Sequence, residues 1–496
     1  MSTPVMESFL KSNNCFEPLD DCLHRKRILQ DFEAIFNAWV RSQLGKPSNG
    51  DGPVITGMFL TLGSYELGIH GPGADVDILL LVPSQISRQD FFSDFYNLIK
   101  SKHEHQISCL RKIEKTYVPV MKFRFLGIDL DIALACFNGQ VLPTTQQLLD
   151  DICLKGMDIH SVRSLNGFRD CLNIQQLIQP HTEIFRLVLR SIKLWSNRRA
   201  IYNNSVGYFS GMALTVLLAK VITEIPDVNI SSWLLLQTFF AKYATWMWPN
   251  PVKLNHLEAN NADAPVLQVW NPHEYSFDKA DRMPILTPSY PQRNSAHTAT
   301  ISTRRVMVQE FKRANEIINF HGIKEEAWKE IFAPQDFFFR ADFSCYIVLS
   351  AKSDLEATDT LSHWDWCAIV RSQIRRMLRD IELLDPIRTV HVCPNSYPHP
   401  DSRVKSEFHS LWFVGVAFIE TCVKEDAETW LGPQVDTFSE NVIRYAEDHE
   451  VILIGRTVSG RVVSATDVKT HLHPEISHGV KGWTSLKERK KGHFYI

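Results

Sequence analysis

The sequence predicts a multidomain α+β protein, with a mixed sheet in its first third, a helical middle and a second, smaller sheet towards the C-terminus. Three observations lead there. The chain has 496 residues, too many for one compact core, and a prior of roughly 100–200 residues per domain gives about three domains. Hydrophobic residues make up 44% and charged residues 22%, the mix of an ordinary globular protein. The period of the apolar residues changes twice, from alternation to three-and-four spacing and back to alternation.

The first element is helical. In HRKRILQDFEAIFNAWVRSQLG, Ile28, Phe32, Ile35, Phe36 and Trp39 recur at spacings of three and four, as one face of an amphipathic helix requires. Gly45 ends it, and KPSNGDGP reads as a loop. From Val54 to about Ala135 strands take over: VITGMFLTLGS and DVDILLLVP are apolar, β-branched runs. A helix follows in SRQDFFSDFYNLIKS, with Phe91, Phe95, Leu98 and Ile99 on one face, and VPVMKFRFLG and IDLDIALACF complete a mixed α+β unit.

From about Leu142 to Gly322 helices dominate, the strongest being HTEIFRLVLRSIKLWSNRRAIY, GMALTVLLAKVI and SSWLLLQTFFAKYATWMW. The Pro- and aromatic-rich stretch from Trp246 to Gln292 has little period. It is too apolar for a disordered linker, so it is expected to wrap and pack on the helical domain. Near Asp336 strands return: FFFRADFSCYIVLSA, the helical WDWCAIVRSQIRRMLRDIELL, then IRTVHVCP and LWFVGVAFIET. That order suits a small sheet covered on one face by helices. The C-terminal residues, ending SLKERKKGHFYI, read as polar and poorly anchored.

The formal net charge of −3 excludes a polycation, so any nucleic-acid contact must draw on locally concentrated basic groups. Ten cysteines are scattered, none in a CxxC pair or a zinc-spaced array. Reduced, mostly buried thiols are expected. MSTPVMESFLKSNN lacks the pattern of a secretory signal, and no run approaches the ~20 apolar residues of a membrane span. An intracellular, soluble, monomeric protein that does not enter membranes is the expectation.

The chemistry is concentrated in LGSYELGIHGPGADVDILLLVP, Leu62 to Pro83. Asp75 and Asp77 lie two apart at the start of a strand, so both carboxylates project from one face while Val76, Ile78, Leu80 and Val82 enter a core. IDLDIALACF repeats the arrangement with Asp129 and Asp131 opposite Ile128, Leu130, Ile132 and Leu134. If the two strands are neighbours, three or four carboxylates converge at one sheet edge. Clustered carboxylates repel, and each costs several kcal/mol to desolvate unless a cation compensates. Oxygen ligands without His or Cys select Mg²⁺ or Mn²⁺. Gly63 and Ser64, upstream of a turn with Gly68, Gly71 and Gly73, offer N–H groups and a hydroxyl to phosphates. Together these point to phosphoryl or nucleotidyl transfer with two metals.

This segment resembles the signature of eukaryotic nuclear poly(A) polymerases, members of the DNA polymerase β-like nucleotidyltransferase superfamily. VPVMKFRFLGIDLDIALA, SLNGFRDC, FRLVLRSIKLWSNRRAIY, WMWPNPV and MPILTPSYPQRNSAHTATISTR match further stretches in order, from about residue 20 to 450. The resemblance implies an N-terminal segment packing on the central domain (1–20), a nucleotidyltransferase domain (21–149) and a central helical nucleotide-binding domain (150–331). It further implies an RRM-like, ferredoxin-like RNA-binding domain (332–475) and a basic tail (476–496). It assigns metal ligation and catalysis to Asp75, Asp77 and Asp131, the choice of Asp131 over Asp129 coming from the family pattern and not from spacing. ATP contacts are implied for Leu62, Gly63, Ser64, Gly71, Val76, Asn166, Lys193, Tyr202, Gly211 and Met212, besides the aspartates. Leu62 stands where the family usually has Phe and Met212 where it has Val; both keep apolar bulk.

The implied reaction is template-independent addition of AMP from ATP to RNA 3′ ends, assisted by two Mg²⁺ or Mn²⁺ ions and releasing pyrophosphate. Other readings are a related terminal transferase using another nucleotide and a catalytically silent RNA-binding protein. Arg186, Arg190 and Lys193 form a stripe at i, i+4 and i+7, which the resemblance turns towards the metal–triphosphate. Arg371, Arg375, Arg376 and Arg379 give another helix a basic face, either solvated or following phosphates. No aromatic signature of an RNA-reading sheet is evident, so a sequence-independent grip on the last nucleotides is expected. The resemblance also implies mRNA 3′-processing factors as partners and residence in the nucleus. Larger members carry a Ser/Thr-rich tail with basic localisation clusters; here only Lys487, Arg489, Lys490 and Lys491 remain, which leaves cytoplasmic residence open.

Overall fold

The computed structural model describes residues 3–45, 56–139, 141–225, 229–254, 265–322, 324–340, 342–354, 363–399, 407–419 and 427–472. The predicted 46–53 loop and the basic C-terminal tail lie outside them.

Two helices open the chain, α1 (Thr3–Ser12) and α2 (Leu19–Leu44), the latter ended by Gly45 at φ 72°. Then come β1 (Met58–Leu62), a single helical turn α3 (Gly63–Glu66) and β2 (Val76–Pro83). A short α4 (Arg88–Asp90) runs through a π-turn at Phe91–Phe95 into α5 (Tyr96–Lys102). The π-turn shifts the predicted helical face: Phe92 is buried beside Phe91, Phe95 and Ile99, while Leu98 is only partly covered. Three strands close the unit, β3 (Ile107–Ile113), β4 (Val120–Phe125) and β5 (Ile128–Phe137).

The sheet order is β1-β2-β5-β4-β3, with β2 and β5 parallel and the other pairs antiparallel. Parallel pairing is allowed because α4, α5 and the β3–β4 hairpin supply the crossover. Helix α2 covers one face, where Phe32 touches the rings of Phe59, Phe95, Phe123 and Phe125. Val76, Ile78, Leu80, Val82 and the apolar set of β5 enter this core. The opposite face, carrying Leu79, Leu81, Ala133 and Ala135, packs under α6 (Ile159–Leu177).

The helical middle continues with α7 (Thr182–Arg198), α8 (Gly211–Thr223), α9 (Ser232–Thr245), the short α10 (Ser276–Lys279), α11 (Ile301–His321) and α12 (Glu325–Ile331). Side-chain caps set several starts: Asp158 on α6, Ser210 on α8, Ser231 on α9 and Thr300 on α11 each accept from a first-turn N–H. Trp195 fills the centre against Phe240 and Phe311. Helix α1 packs on α7 and α9, with Phe9 against Trp328 and Phe332. Trp246, Trp248 and Leu254 pack on this core, and Leu267 and Val269 on the neighbouring one.

The last unit holds β6 (Cys345–Asp354), α13 (His363–Ile381), β7 (Ile387–Val392), the two-residue β8 (Tyr397–Pro398), β9 (Glu407–Phe418), α14 (Ala427–Asp448) and β10 (Arg456–Ser464). Its antiparallel order, β10-β6-β9-β7, with β8 aside, makes a β-α-β-β-α-β unit of the ferredoxin-like kind. The strand expected from Phe337 starts only at Cys345: residues 337–339 form a 3₁₀ turn that folds Phe337 and Phe338 over the sheet. With Val468 and Leu472 they fill the face away from the helices, so among the described residues no row of stacking aromatics is left open there. Among the described residues no cysteine is paired and no helix is long and apolar enough to cross a membrane.

Candidate active site

Antiparallel pairing of β1 with β2 sets Leu62 opposite Asp77, and parallel pairing of β2 with β5 sets Asp77 opposite Asp131. Asp77 and Asp131 therefore sit on adjacent inner strands of the five-stranded sheet. Asp75 stands just before β2. A Leu126–Gly127 turn, both residues at positive φ, joins β4 to β5 and brings Lys122 opposite Asp131 and Arg124 opposite Asp129. Lys122 Nζ bonds Asp131 Oδ2. Arg124 grips Asp129 with two bonds of 2.9 and 3.1 Å. Asp131 thus faces the other acids, while Asp129 is held by its own arginine.

The cluster is short of positive charge. Burial first, then Asp75 and Asp131, push the Asp77 carboxyl up to about 7, against the pull of Lys122 and Lys193. A carboxyl pushed up by burial and by like-charged neighbours is what a hard cation would relieve. The donor set is all oxygen, which fits Mg²⁺ or Mn²⁺. The aspartates are nevertheless more spread than a finished cage. Among the described residues, the one group of three ligand-type side chains with all ligand atoms within 4.8 Å is Glu17, Cys22 and His70. Glu17 there is already held by Arg25 Nη2 at 2.6 Å, which makes that group a poor place for another cation.

Gly63 follows β1 at φ +65°, and a Cβ there would lie 2.4 Å from Asp77 Oδ2, so only glycine lets the turn approach the carboxylate. The Gly63 N–H donates to Cys171 Sγ at 3.3 Å. Ser64 continues the turn. Val76 is wholly buried, so only its backbone faces the site. Gly71 lies in the following loop, near the Cys15 carbonyl.

From the helical domain, Lys193 and Tyr202 join the acids. Lys193 Nζ is 6.0 Å from the Tyr202 ring centre. The Tyr202 phenol is pushed up to about 12 by burial and by Asp75 and Asp77. Its hydroxyl lies 3.2 Å from where a Cβ on Gly211 would stand, so the N-terminus of α8, with Gly211 and Met212 in its first turn, borders the same space. Asn166 is set differently: it is 3% exposed, donates to the Tyr290 carbonyl at 3.1 Å and accepts from Arg169 at 3.0 Å.

The basic stripe divides. Arg186 Nε donates to the Leu67 carbonyl at 2.9 Å and Arg190 Nη2 to the Gly68 carbonyl at 2.6 Å. These two arginines clamp the glycine-rich loop and are spent on it, so of the three only Lys193 acts on the carboxylates. Arg25 Nη1 holds the same loop at the Ala74 carbonyl, 2.8 Å away. Sequence reasoning missed Lys122, Arg25 and Cys171. Lys122 had a signal: in VMKFRFLGIDLD a two-residue turn makes Lys122 and Arg124 face Asp131 and Asp129.

With this geometry in place, comparison with known proteins is informative. The family model for the poly(A) polymerase nucleotidyltransferase domain matches residues 2–178, and that for the poly(A) polymerase central domain matches residues 184–334. Poly(A) polymerase PAPa of Candida albicans is 33% identical over 391 residues, covering 78% of this chain and 68% of the relative. Poly(A) polymerase pla1 of Schizosaccharomyces pombe is 35% identical over 385 residues, covering 77% of this chain and 65% of the relative. The chain thus spans about two thirds of these relatives' length. A Cid1 poly(U) polymerase structure with MgGTP bound superposes with a TM-score of 0.48 at 12% identity, over 67% of this chain and 99% of that one. Two domain models and a one-third identity carried over most of the chain lead to one conclusion: the chain belongs to the poly(A) polymerase family of nucleotidyltransferases.

Proposed function

We propose that the chain transfers AMP from ATP to the 3′ end of single-stranded RNA without a template, releasing pyrophosphate. The observation that carries this reading is the meeting of Asp77 and Asp131 across the β2–β5 ladder, with the Gly63 turn, Lys193 and Tyr202 around them. Domains of 21–149, 150–331 and 332–475 would supply the acids, the nucleotide pocket and the hold on RNA. Residence in the nucleus and recruitment by mRNA 3′-processing factors go with this reading.

In this mechanism Asp75, Asp77 and Asp131 would hold divalent ions, Mg²⁺ or Mn²⁺. Bound there, such ions would supply Lewis-acid chemistry for the 3′-hydroxyl and positive charge for the pyrophosphate. The chain's own groups do the positioning. The Gly63–Ser64 turn lies against Asp77 closely enough to fix a triphosphate beside the acids. Lys193 brings a positive charge to the side on which pyrophosphate leaves. The first turn of α8 presents N–H groups of Gly211 and Met212 beside Tyr202, a setting that favours negative charge. Lys122, bonded to Asp131, orients that carboxylate opposite Asp77. Incubating the chain with an oligo(A) primer and each of the four nucleoside triphosphates tests the reading: extension with ATP above the other three supports it, and extension with UTP alone overturns it.

A further inference from the structure

Tyr117, in the connection between β3 and β4, is 49% exposed and is clasped by two arginines from other parts of the chain. The Arg163 guanidinium, from α6, lies 3.8 Å from its ring centre, and that of Arg293, from the segment before α11, lies 4.4 Å away. Arg163 Nη1 also reaches the Tyr117 carbonyl at 3.4 Å, while its Nε is buried without a partner.

Among the described residues no carboxylate compensates either guanidinium. Burial is the one cause that depresses Arg163, and the one cause that brings Arg293 down to about 10. Two like charges held by a single ring, partly out of water and with unspent donors, form an anion receptor. The surroundings add positive charge. Burial first, and then Arg375 of α13 and Arg293 against the pull of Asp281, hold the His297 imidazole below its ordinary value, and Asp281 is engaged by the Trp270 indole at 2.8 Å. Arg111 pairs with Asp365 and Lys115 with Glu450. The same β3–β4 hairpin therefore touches the C-terminal unit, while the clasp itself joins the hairpin to α6 and to the segment before α11.

The clasp is also in line with the chemistry. Tyr117 precedes Lys122 by five residues, at most about 18 Å along the chain, and Lys122 bonds Asp131. A strand whose 3′ end lies at the acids and which follows β4 backwards would meet it a few nucleotides upstream.

We propose that Arg163 and Arg293, aligned by Tyr117, clamp the phosphodiester backbone of the single-stranded RNA acceptor a few nucleotides upstream of its 3′ end. The proposal rests on the adenylyl-transfer reading and adds the site that registers the strand. A flexible single strand is gripped through its phosphates when guanidiniums are fixed in advance, since less side-chain freedom is lost on binding.

The test measures RNA binding without nucleotide and extension separately. For an oligo(A) of about fifteen nucleotides, Arg163→Gln combined with Arg293→Gln should raise Kd about tenfold. It should also flatten the slope of log Kd against log salt by about 1.4, since each single-strand phosphate contact contributes ~0.7. Tyr117→Ala should reproduce part of the loss and Tyr117→Phe restore it. Extension of a trinucleotide primer and KM for ATP should stay as in the unsubstituted chain, as should the unfolding temperature. Unchanged Kd and salt slope overturn the proposal, as does an equal loss on the trinucleotide or a raised KM for ATP. Because binding is read without nucleotide, a chain unable to add adenylate leaves the clamp testable. A chain that adds adenylate while the variants bind normally sinks the clamp alone.

Discussion

Asp77 on β2 stands directly opposite Asp131 on the parallel neighbour β5, with Asp77 pushed up to about 7 by burial and by Asp75 and Asp131. A divalent ion should relieve that crowding. Mn²⁺ is expected to raise the unfolding temperature of the chain, because a ligand bound only by the folded state stabilises it by mass action. Asp77→Asn should abolish the rise, measured by scanning calorimetry with and without chelator. A rise of equal size in Asp77→Asn would mean that the ion binds elsewhere.

Gly63 has two reasons to be glycine: φ +65° and a Cβ position 2.4 Å from Asp77 Oδ2. Gly63→Ala should therefore displace either the turn or the carboxylate. AMP incorporation is expected to fall by about 10²-fold, as for loss of a preorganised stabiliser, while circular dichroism keeps its folded signature. Incorporation within a few-fold of the starting rate would show that the turn tolerates the move.

Lys193 and Arg186 share a helix face but should fail differently. Lys193→Met removes charge beside the acids, so kcat/KM for ATP should drop by about 10²-fold with little change in unfolding temperature. Arg186→Gln removes the bond to the Leu67 carbonyl, an interaction of about 1.5–3 kcal/mol for a charged donor, and should appear first as lost stability. Steady-state kinetics and thermal melts on both variants separate the two roles.

Three buried or half-buried histidines weaken the fold in mild acid. Burial, the leading cause in each case, holds His391 and His409 down to about 3 and His363 to about 4, against about 6.5 for an ordinary imidazole. Between these values the unfolded chain binds protons that the folded one refuses. The contribution is thus complete above about pH 6.5 and is lost as pH falls towards the folded values. Asp77 and Asp170, pushed up to about 7, act in the opposite direction over the same window, so the test is a difference. Between pH 7 and pH 5 His363→Gln should lose less unfolding temperature than the unsubstituted chain. An equal change in both chains would contradict this.

Much of this architecture was legible in the sequence wherever one element decides it. Alternation in DVDILLLVP and IDLDIALACF gave both acid strands and their buried faces, and three-and-four spacing gave α2, α7 and α9. What escaped depends on partners distant in the chain. The Arg186 and Arg190 clamps join residues 119 and 122 apart, and nothing local separates them from Lys193 on the same stripe. Helix α14 is not among the expected elements, although Leu431, Val435, Phe438 and Val442 have helical spacing, and Pro433 lies inside it. Lys122 and Arg124 were readable through the Leu126–Gly127 turn, whose register follows from its length.

The central claim is that the acids meeting across β2 and β5 perform adenylyl transfer to RNA. Single-turnover incorporation of AMP from ATP into oligo(A), with saturating Mn²⁺, measures this most directly in the unsubstituted chain and in Asp131→Ala. The account predicts measurable extension by the former and a loss of about 10²-fold or more in the variant, with the variant still folded and still binding the primer. Near-normal incorporation by Asp131→Ala would contradict it.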